Sequence, residues 1–202
     1  MNAPLPRVYL VRHGETAWSL SGQHTGLTDL PLTARGEANA RTLANRLKDI
    51  NFAKVFRSPL QRATKTCELA GFMAVAEEDP DLVEWNYGDY EGLRTPEILS
   101  RRPDWHLFRD GCPSGESPSQ VAARADNVIR RARSAPGNVL LFSSGHILRT
   151  IAARWLGLEA AAGRLWVLDP ASVSVMGYER IVDQPALLTW NDTHHLGTDA
   201  KN

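Results

Sequence analysis

Apolar positions fall into two rhythms along the chain. Three short runs, Val8-Tyr9-Leu10-Val11, Lys54-Val55-Phe56-Arg57 and Val139-Leu140-Leu141-Phe142, have the length and composition of buried strands. Between them the spacing turns helical. Ala40, Leu43, Ala44 and Leu47 fall at i, i+3, i+4 and i+7 and predict a helix beginning near Thr33. Val121, Ala125, Val128, Ile129 and Ala132 make a second stripe, opened by Ser117 with Gln120 at capping-box spacing. Ile147, Leu148, Ile151, Ala152, Trp155 and Leu156 make a third, ending at Gly157. Ser58-Pro59 follows the preferred order of N-cap and first helical residue, which predicts a further helix running to about Gly71. Residues 19–32 and 103–116 read as loops, 74–94 as mostly irregular and 95–102 as a short helix. Val173 to Met176 and Ala186 to Trp190 read as two more strands in an edge hairpin. Alternating strands and helices predict an α/β fold with three layers, α/β/α, around a central, mostly parallel sheet. No repeat or linker divides residues 1–202, which predicts one domain, with 84–116 as a cap over the strand ends.

Each of the three main strands ends in a polar cluster before its helix: Arg12-His13-Gly14-Glu15, Ser58 to Arg62, and Ser143 to His146. In α/β sheets ligands bind outside the carboxyl ends of the strands, so three such clusters are expected to converge on one site. An imidazole beside an arginine suits attack on phosphorus. The ring must be neutral to attack, and an adjacent cation favours the neutral form. Arg12 and Arg62 can hold the phosphate oxygens, Arg62 from the first turn of a helix. Glu84 is the best-placed carboxylic acid to protonate a leaving oxygen. With two arginines carrying the charge, the chemistry calls for neither metal nor cofactor. Each element has a plainer reading by itself: a chance tripeptide, a surface ion-pair partner, a solvated glutamate. The set together points to phosphoryl transfer.

Composition narrows the class. The chain has 202 residues, 43% hydrophobic and 23% charged, with 23 basic and 23 acidic residues and no net charge. Nothing in that balance favours nucleic acid or a membrane surface, and the expected partner is a small phosphate ester. Lysine occurs only at positions 48, 54, 65 and 201, so the positive charge is mostly arginine. Cys67 and Cys112 have no ligand or disulfide spacing. No apolar run approaches membrane-spanning length, and MNAPLPR lacks the signal-peptide pattern, so the expected compartment is the cytoplasm. A homodimer is compatible with the sequence.

These residues resemble the histidine phosphatase superfamily, also called phosphoglycerate mutase-like. The resemblance runs from Val8 to about Leu196. Leu10-Val11-Arg12-His13-Gly14-Glu15-Thr16 matches its first motif, Ser58-Pro59-Leu60-Gln61-Arg62-Ala63-Thr64 its second, and Leu82-Val83-Glu84 its acid segment. The resemblance implies a phosphohistidine at His13, Arg12 and Arg62 as phosphate ligands, and Glu84 as proton donor. Four further stretches, SGQHTGLTDLPLT, EWNYGDYEGL, FRDGCPSGES and GHILRTIAARWLGL, are similar to the fungal sedoheptulose-1,7-bisphosphatase branch and its bacterial relatives. They imply a sugar phosphate substrate, with Ser19, Gln23, His24, Thr25 and Gly26 near it, Tyr87 on the pocket wall, and Ser144, Gly145 and His146 at the phosphate.

One position departs from the family. A second histidine usually precedes the glycine of the last motif, and here that residue is Ser144. Serine donates a hydrogen bond but carries no charge. Losing one such contact in a transition-state site commonly costs ~2–4 kcal/mol. Two outcomes are open: His146 substitutes for the missing ring, or Ser144 leaves a weaker phosphate cradle. The alternatives to a phosphatase are therefore a phospholigand-binding protein with weakened catalysis, a phosphoglycerate mutase, or a phosphatase of phosphohistidine on proteins. The stretch after Glu84 is shorter and less basic than the mutases need, and the long loops argue against a protein substrate.

Overall fold

In the computed structural model, which describes residues 4–197, the apolar runs join one six-stranded sheet. β1 (Val8–Arg12), β2 (Lys54–Arg57), β3 (Ala76–Glu78) and β4 (Val139–Ser143) run parallel. β5 (Val173–Tyr178) and β6 (Pro185–Asp192) add an antiparallel hairpin on one edge. The order across the sheet is β3-β2-β4-β1-β5-β6. The helices are α1 (Ala17–Ser21), α2 (Ala34–Leu47), α3 (Gln61–Leu69), α4 (Thr95–Arg101), α5 (Leu107–Asp110), α6 (Pro118–Ser134) and α7 (Gly145–Trp155).

Strand periodicity explains the layers. Val8, Leu10, Val139 and Leu141 face one way and pack with Val128 and Ile129 of α6 and with Ile151 and Trp155 of α7. Tyr9, Val11, Leu140 and Phe142 face the other way, onto Leu43 and Leu47 of α2 and Cys67 of α3. The central strands are covered on both faces, which is why they read as continuous apolar runs rather than alternating ones. β1 and β4 pair in register from Val8 opposite Val139 to Arg12 opposite Ser143. His13 and Ser144 therefore leave the sheet at the same level.

Several expectations need correction. Residues 74–94 were expected to be mostly irregular, yet they include β3. This edge strand has one apolar residue, and its glutamates pair with Lys54 and Arg57 of β2, so it shows no apolar run. The 19–32 loop gives up its first residues to α1, which buries none of its side chains. It is held by reciprocal Thr16–Ser19 capping and stopped by Gly22 at φ +79°. The 103–116 loop contains the single turn of α5. α3 starts at Gln61 rather than at Pro59: Leu60 stays extended, and the Gln61 N–H donates to Asp29 Oδ1 (2.8 Å). The cap therefore comes from a distant loop rather than from Ser58. No helix among the described residues is long and apolar enough to cross a membrane. Part of the amino-terminal stretch, residues 1–3, and Lys201 lie outside the described residues.

Candidate active site

The backbone around His13 is fixed from three sides. Its N–H donates to Ser143 O (2.9 Å), and the Ala171 N–H is shared between the carbonyls of Arg12 and His13 (3.1 Å each). The Gly14 N–H donates to Thr66 Oγ1 on α3 (3.0 Å). A Cβ on Gly14 would stand 2.5 Å from Gly36 O, and one on Gly36 would stand 2.2 Å from Glu15 O. The first turn of α2 thus rests on this loop with room only for glycine. Glu15 accepts from the Arg35 guanidinium and, secondarily, from the Thr33 hydroxyl (2.7 Å), which hold its carboxyl below the usual range.

His13 Nδ1 lies 2.7 Å from Gly14 O. A carbonyl can only accept, so Nδ1 carries the proton and Nε2 keeps its lone pair. Burial, reinforced by Arg62 and Arg12, pushes the His13 pKa well below that of free imidazole. The ring is therefore neutral, with the Nε2 lone pair available.

Two arginines act on its charge, and Ser144 leaves the neighbouring strand at the same level. Arg62 is fully buried; Nη1 donates to Thr28 O (2.9 Å), and Nη2 to Gly26 O (2.7 Å) and Thr25 O (3.2 Å). Arg12 Nη1 donates to Leu168 O. Arg12 Nε, Arg62 Nε and Ser144 Oγ are buried and have no hydrogen-bond partner among the described residues. Burial lowers the pKa of both guanidiniums while the nearby Glu84 opposes it. Unsatisfied buried donors are uncommon, and a tetrahedral oxyanion is what such a group accepts.

Glu84 is held as firmly. Its Oε1 accepts the N–H groups of Trp85 and Ile147 (2.9 Å each), and its Oε2 accepts that of His146 (2.9 Å). Oε1 is saturated, while Oε2 keeps a free lone pair. The segment that carries Glu84 is anchored from behind. Ser143 Oγ donates to Leu82 O. Arg124 of α6 donates to the carbonyls of Asp81 (2.7 Å), Val83 (2.9 Å) and Glu84 (3.3 Å) and pairs with Glu116 (2.7 Å).

A cavity of ≈230 Å³ opens over these groups. Of the residues expected from sequence, Arg12, His13, Ser19, Gln23, His24, Thr25, Glu84, Tyr87, Gly145 and His146 line it. Gly26 does not: its carbonyl holds Arg62 instead. Arg62 and Ser144 lie behind the wall, with no exposure of consequence. Ser19 spends its hydroxyl proton on Thr16 O (3.0 Å), closing α1. His24 Nδ1 donates to Leu93 O (2.8 Å).

His146 lines the same cavity as His13 and Arg12. Its Nδ1 is bound to the Tyr87 hydroxyl (2.6 Å), and its ring lies parallel to His24 at 6.3 Å, on the cavity wall. Burial, then Glu84, raises the Tyr87 pKa well above the usual phenol value, so the hydroxyl stays protonated. Burial, with Arg149 and His24 next, keeps His146 neutral. The lining also includes Trp18, Gly22, Thr95, Leu168 and Arg149, which the sequence reading did not single out. Arg149 had a signal: it lies three residues after His146 on one helix, hence on the same face.

A family model for the histidine phosphatase superfamily (branch 1) matches residues 8–193. An acid phosphatase of Mycobacterium tuberculosis is 41% identical over 186 residues, covering 90% of this chain and 91% of the relative. Sedoheptulose 1,7-bisphosphatase of Saccharomyces cerevisiae is 37% identical over 186 residues, covering 76% and 68%. The solved structure of an open reading frame product from Mycobacterium tuberculosis superimposes with a TM-score of 0.87 at 38% identity, covering 92% of this chain and 97% of that one.

Proposed function

The chain belongs to the histidine phosphatase superfamily, and from that premise we propose that it hydrolyses a small phosphorylated metabolite, a sugar phosphate or bisphosphate, through a phosphohistidine at His13. The observation that carries this reading is the His13 tautomer, a neutral ring with Nδ1 tied to a carbonyl and Nε2 free beside two arginines. In the first step Nε2 attacks phosphorus and the ester P–O bond breaks. Arg12, Arg62 and Ser144 hold the phosphoryl oxygens, and Glu84 gives its proton to the leaving oxygen. In the second step Glu84 takes a proton from water as the water oxygen bonds to phosphorus. The P–N bond breaks, and phosphate leaves with His13 and Glu84 restored. The guanidiniums supply the charge stabilisation, so the reading requires no metal. Residues 84–116, which place Glu84, Tyr87 and Thr95 on the cavity wall, act as its cover.

The sugar phosphate assignment is supported by the name of the yeast relative and by the four stretches that resemble that branch. Phosphate release without added metal, measured on sugar bisphosphates, phosphoglycerate and an aryl phosphate, tests it. Release is expected to depend on His13, and full activity in His13→Ala would overturn the nucleophile assignment.

Ser144 motivates one other reading, a protein that binds phosphorylated ligands with little turnover. Its hydroxyl is buried with no hydrogen-bond partner among the described residues, next in the chain to cavity-lining Gly145, and lacks the charge of a histidine. That reading expects tight phosphate binding, no phosphoenzyme, and turnover gained in Ser144→His.

A further inference from the structure

Leu168 gives its carbonyl to Arg12 Nη1, and the residues on either side of Leu168 are held by one irregularity in β6. Val173 pairs with Asp192 and Val175 with Thr189, so Trp190 and Asn191 of β6 stand opposite Ser174 of β5 alone. The extra residue makes a bulge, which re-aims the side chains within it. Asn191 has φ +55°, a left-handed conformation that asparagine tolerates better than most residues. Both bulge residues reach the same short segment. Trp190 Nε1 donates to Val167 O (2.6 Å). Asn191 Oδ1 accepts the Asp169 N–H (2.7 Å), and its Nδ2 donates to Asp169 Oδ2 (2.8 Å). Leu168 sits between the two residues that the bulge fixes.

The segment then runs on to the reacting centre. Ala171 is buried at φ +56°, a conformation that a residue with a Cβ keeps only where its surroundings impose it. Its N–H donates to the carbonyls of Arg12 and His13, and its own carbonyl accepts from His195 Nε2 (2.9 Å). Residues 167–172 therefore grip Arg12 twice, at the backbone and at the guanidinium, while contributing only Leu168 to the cavity lining. With Nη1 taken by Leu168 O, the direction of the guanidinium plane is set. Nε, buried without a partner among the described residues, is left for an oxyanion.

We infer that Asn191 is a positioning residue for the reaction: by pinning Asp169 it sets the Leu168 carbonyl, and through that carbonyl the Arg12 guanidinium, against the phosphoryl group. This rests on the phosphatase reading above, in which Arg12 holds phosphoryl oxygens. It gives a part in that task to a half-buried side chain outside the cavity lining.

Two measurements on the full chain test it: binding of inorganic phosphate by titration calorimetry, which needs no turnover, and kcat on nitrophenyl phosphate. Asn191→Gly keeps the left-handed backbone and removes the amide. It is expected to weaken phosphate binding roughly 10-fold and to lower kcat roughly 10- to 100-fold, the scale of a misplacement of about 1 Å, while urea titration shows it folded under assay conditions. Asn191→Asp keeps an acceptor for the Asp169 N–H but sets two carboxylates against each other, and is expected to lose affinity and rate likewise. Adding Asp169→Asn exchanges the two groups, restores a donor between them, and is expected to recover most of both. A lowered urea midpoint with phosphate affinity and kcat unchanged marks a structural role and overturns the inference. So does an exchanged pair that performs no better than Asn191→Asp alone. Phosphate binding that weakens in Asn191→Gly, in a protein that releases no phosphate from any ester, overturns the phosphatase reading and leaves the positioning role standing.

Discussion

His13 owes its chemistry to two neighbours that act on different atoms. The Gly14 carbonyl fixes the proton on Nδ1, and the arginines with burial keep a second proton off Nε2. The C2–H resonance of His13 is accordingly expected to show no titration step near pH 6.5 and to move only at much lower pH. A midpoint near 6.5 would contradict the neutral-nucleophile picture. Ser144 makes a complementary case. Its buried, unpartnered hydroxyl costs stability unless a ligand accepts from it. Ser144→Ala is expected to raise stability by about 1 kcal/mol in denaturant titrations and to lower kcat by about 10²-fold. A destabilised, fully active variant would show that the hydroxyl faces something other than the phosphoryl group. Much of this was legible in sequence, because Arg12, His13 and Arg62 sit at strand ends where α/β folds build sites. The orphaned hydroxyl was not, since nothing in Ser143-Ser144-Gly145 says which serine finds a partner. Ser143 finds Leu82 O, and Ser144 finds no partner among the described residues.

At the level of elements, the site depends on attachments made far along the chain. Arg124 of α6 grips three backbone carbonyls, those of Asp81, Val83 and Glu84, some 40 residues earlier in the chain. Arg124→Met is expected to let the acid drift. It should lower kcat strongly for an alkyl phosphate, whose leaving oxygen needs a proton, and weakly for a nitrophenyl phosphate, whose leaving group does not. Equal losses on both would mean that Arg124 serves stability alone. α3 depends in the same way on Asp29, which caps Gln61 next to Arg62. Asp29→Ala is expected to cost about 1 kcal/mol of stability by denaturant titration and to raise the KM for phosphate esters. Neither contact could be read from local pattern, because a side chain that caps or clamps from a distance leaves no periodic trace. Ser58-Pro59 looked like a helix start and was not, because Asp29 supplied the cap two residues later. The helices with strong stripes, α2, α6 and α7, were legible because their apolar faces meet the sheet.

On the scale of the whole molecule, the strand order places β1 and β4 side by side at the centre, and the groups at their carboxyl ends share one buried space. That arrangement has a consequence for stability. A histidine kept neutral by folding takes up protons only when the chain unfolds, so the unfolded state binds more protons below pH 6.5 and stability falls as pH falls. His13 alone is expected to cost up to about 1.4 kcal/mol per pH unit below 6.5. The drop should be shallower in His13→Gln, which urea titrations at pH 7.5, 6.5 and 5.5 would reveal; identical slopes would contradict it. The sheet's parallel core and its antiparallel edge were legible from runs of apolar residues, whereas β3 was hidden by its charges. The central claim is that phosphate passes through His13, and the direct measurement is rapid mixing with a sugar bisphosphate, an alkaline quench and mass spectrometry of the protein. The expected result is a transient phosphoryl group on His13 that forms and decays at rates compatible with turnover and is absent from His13→Ala. Turnover with no phosphoprotein, or with the group on another residue, would contradict it.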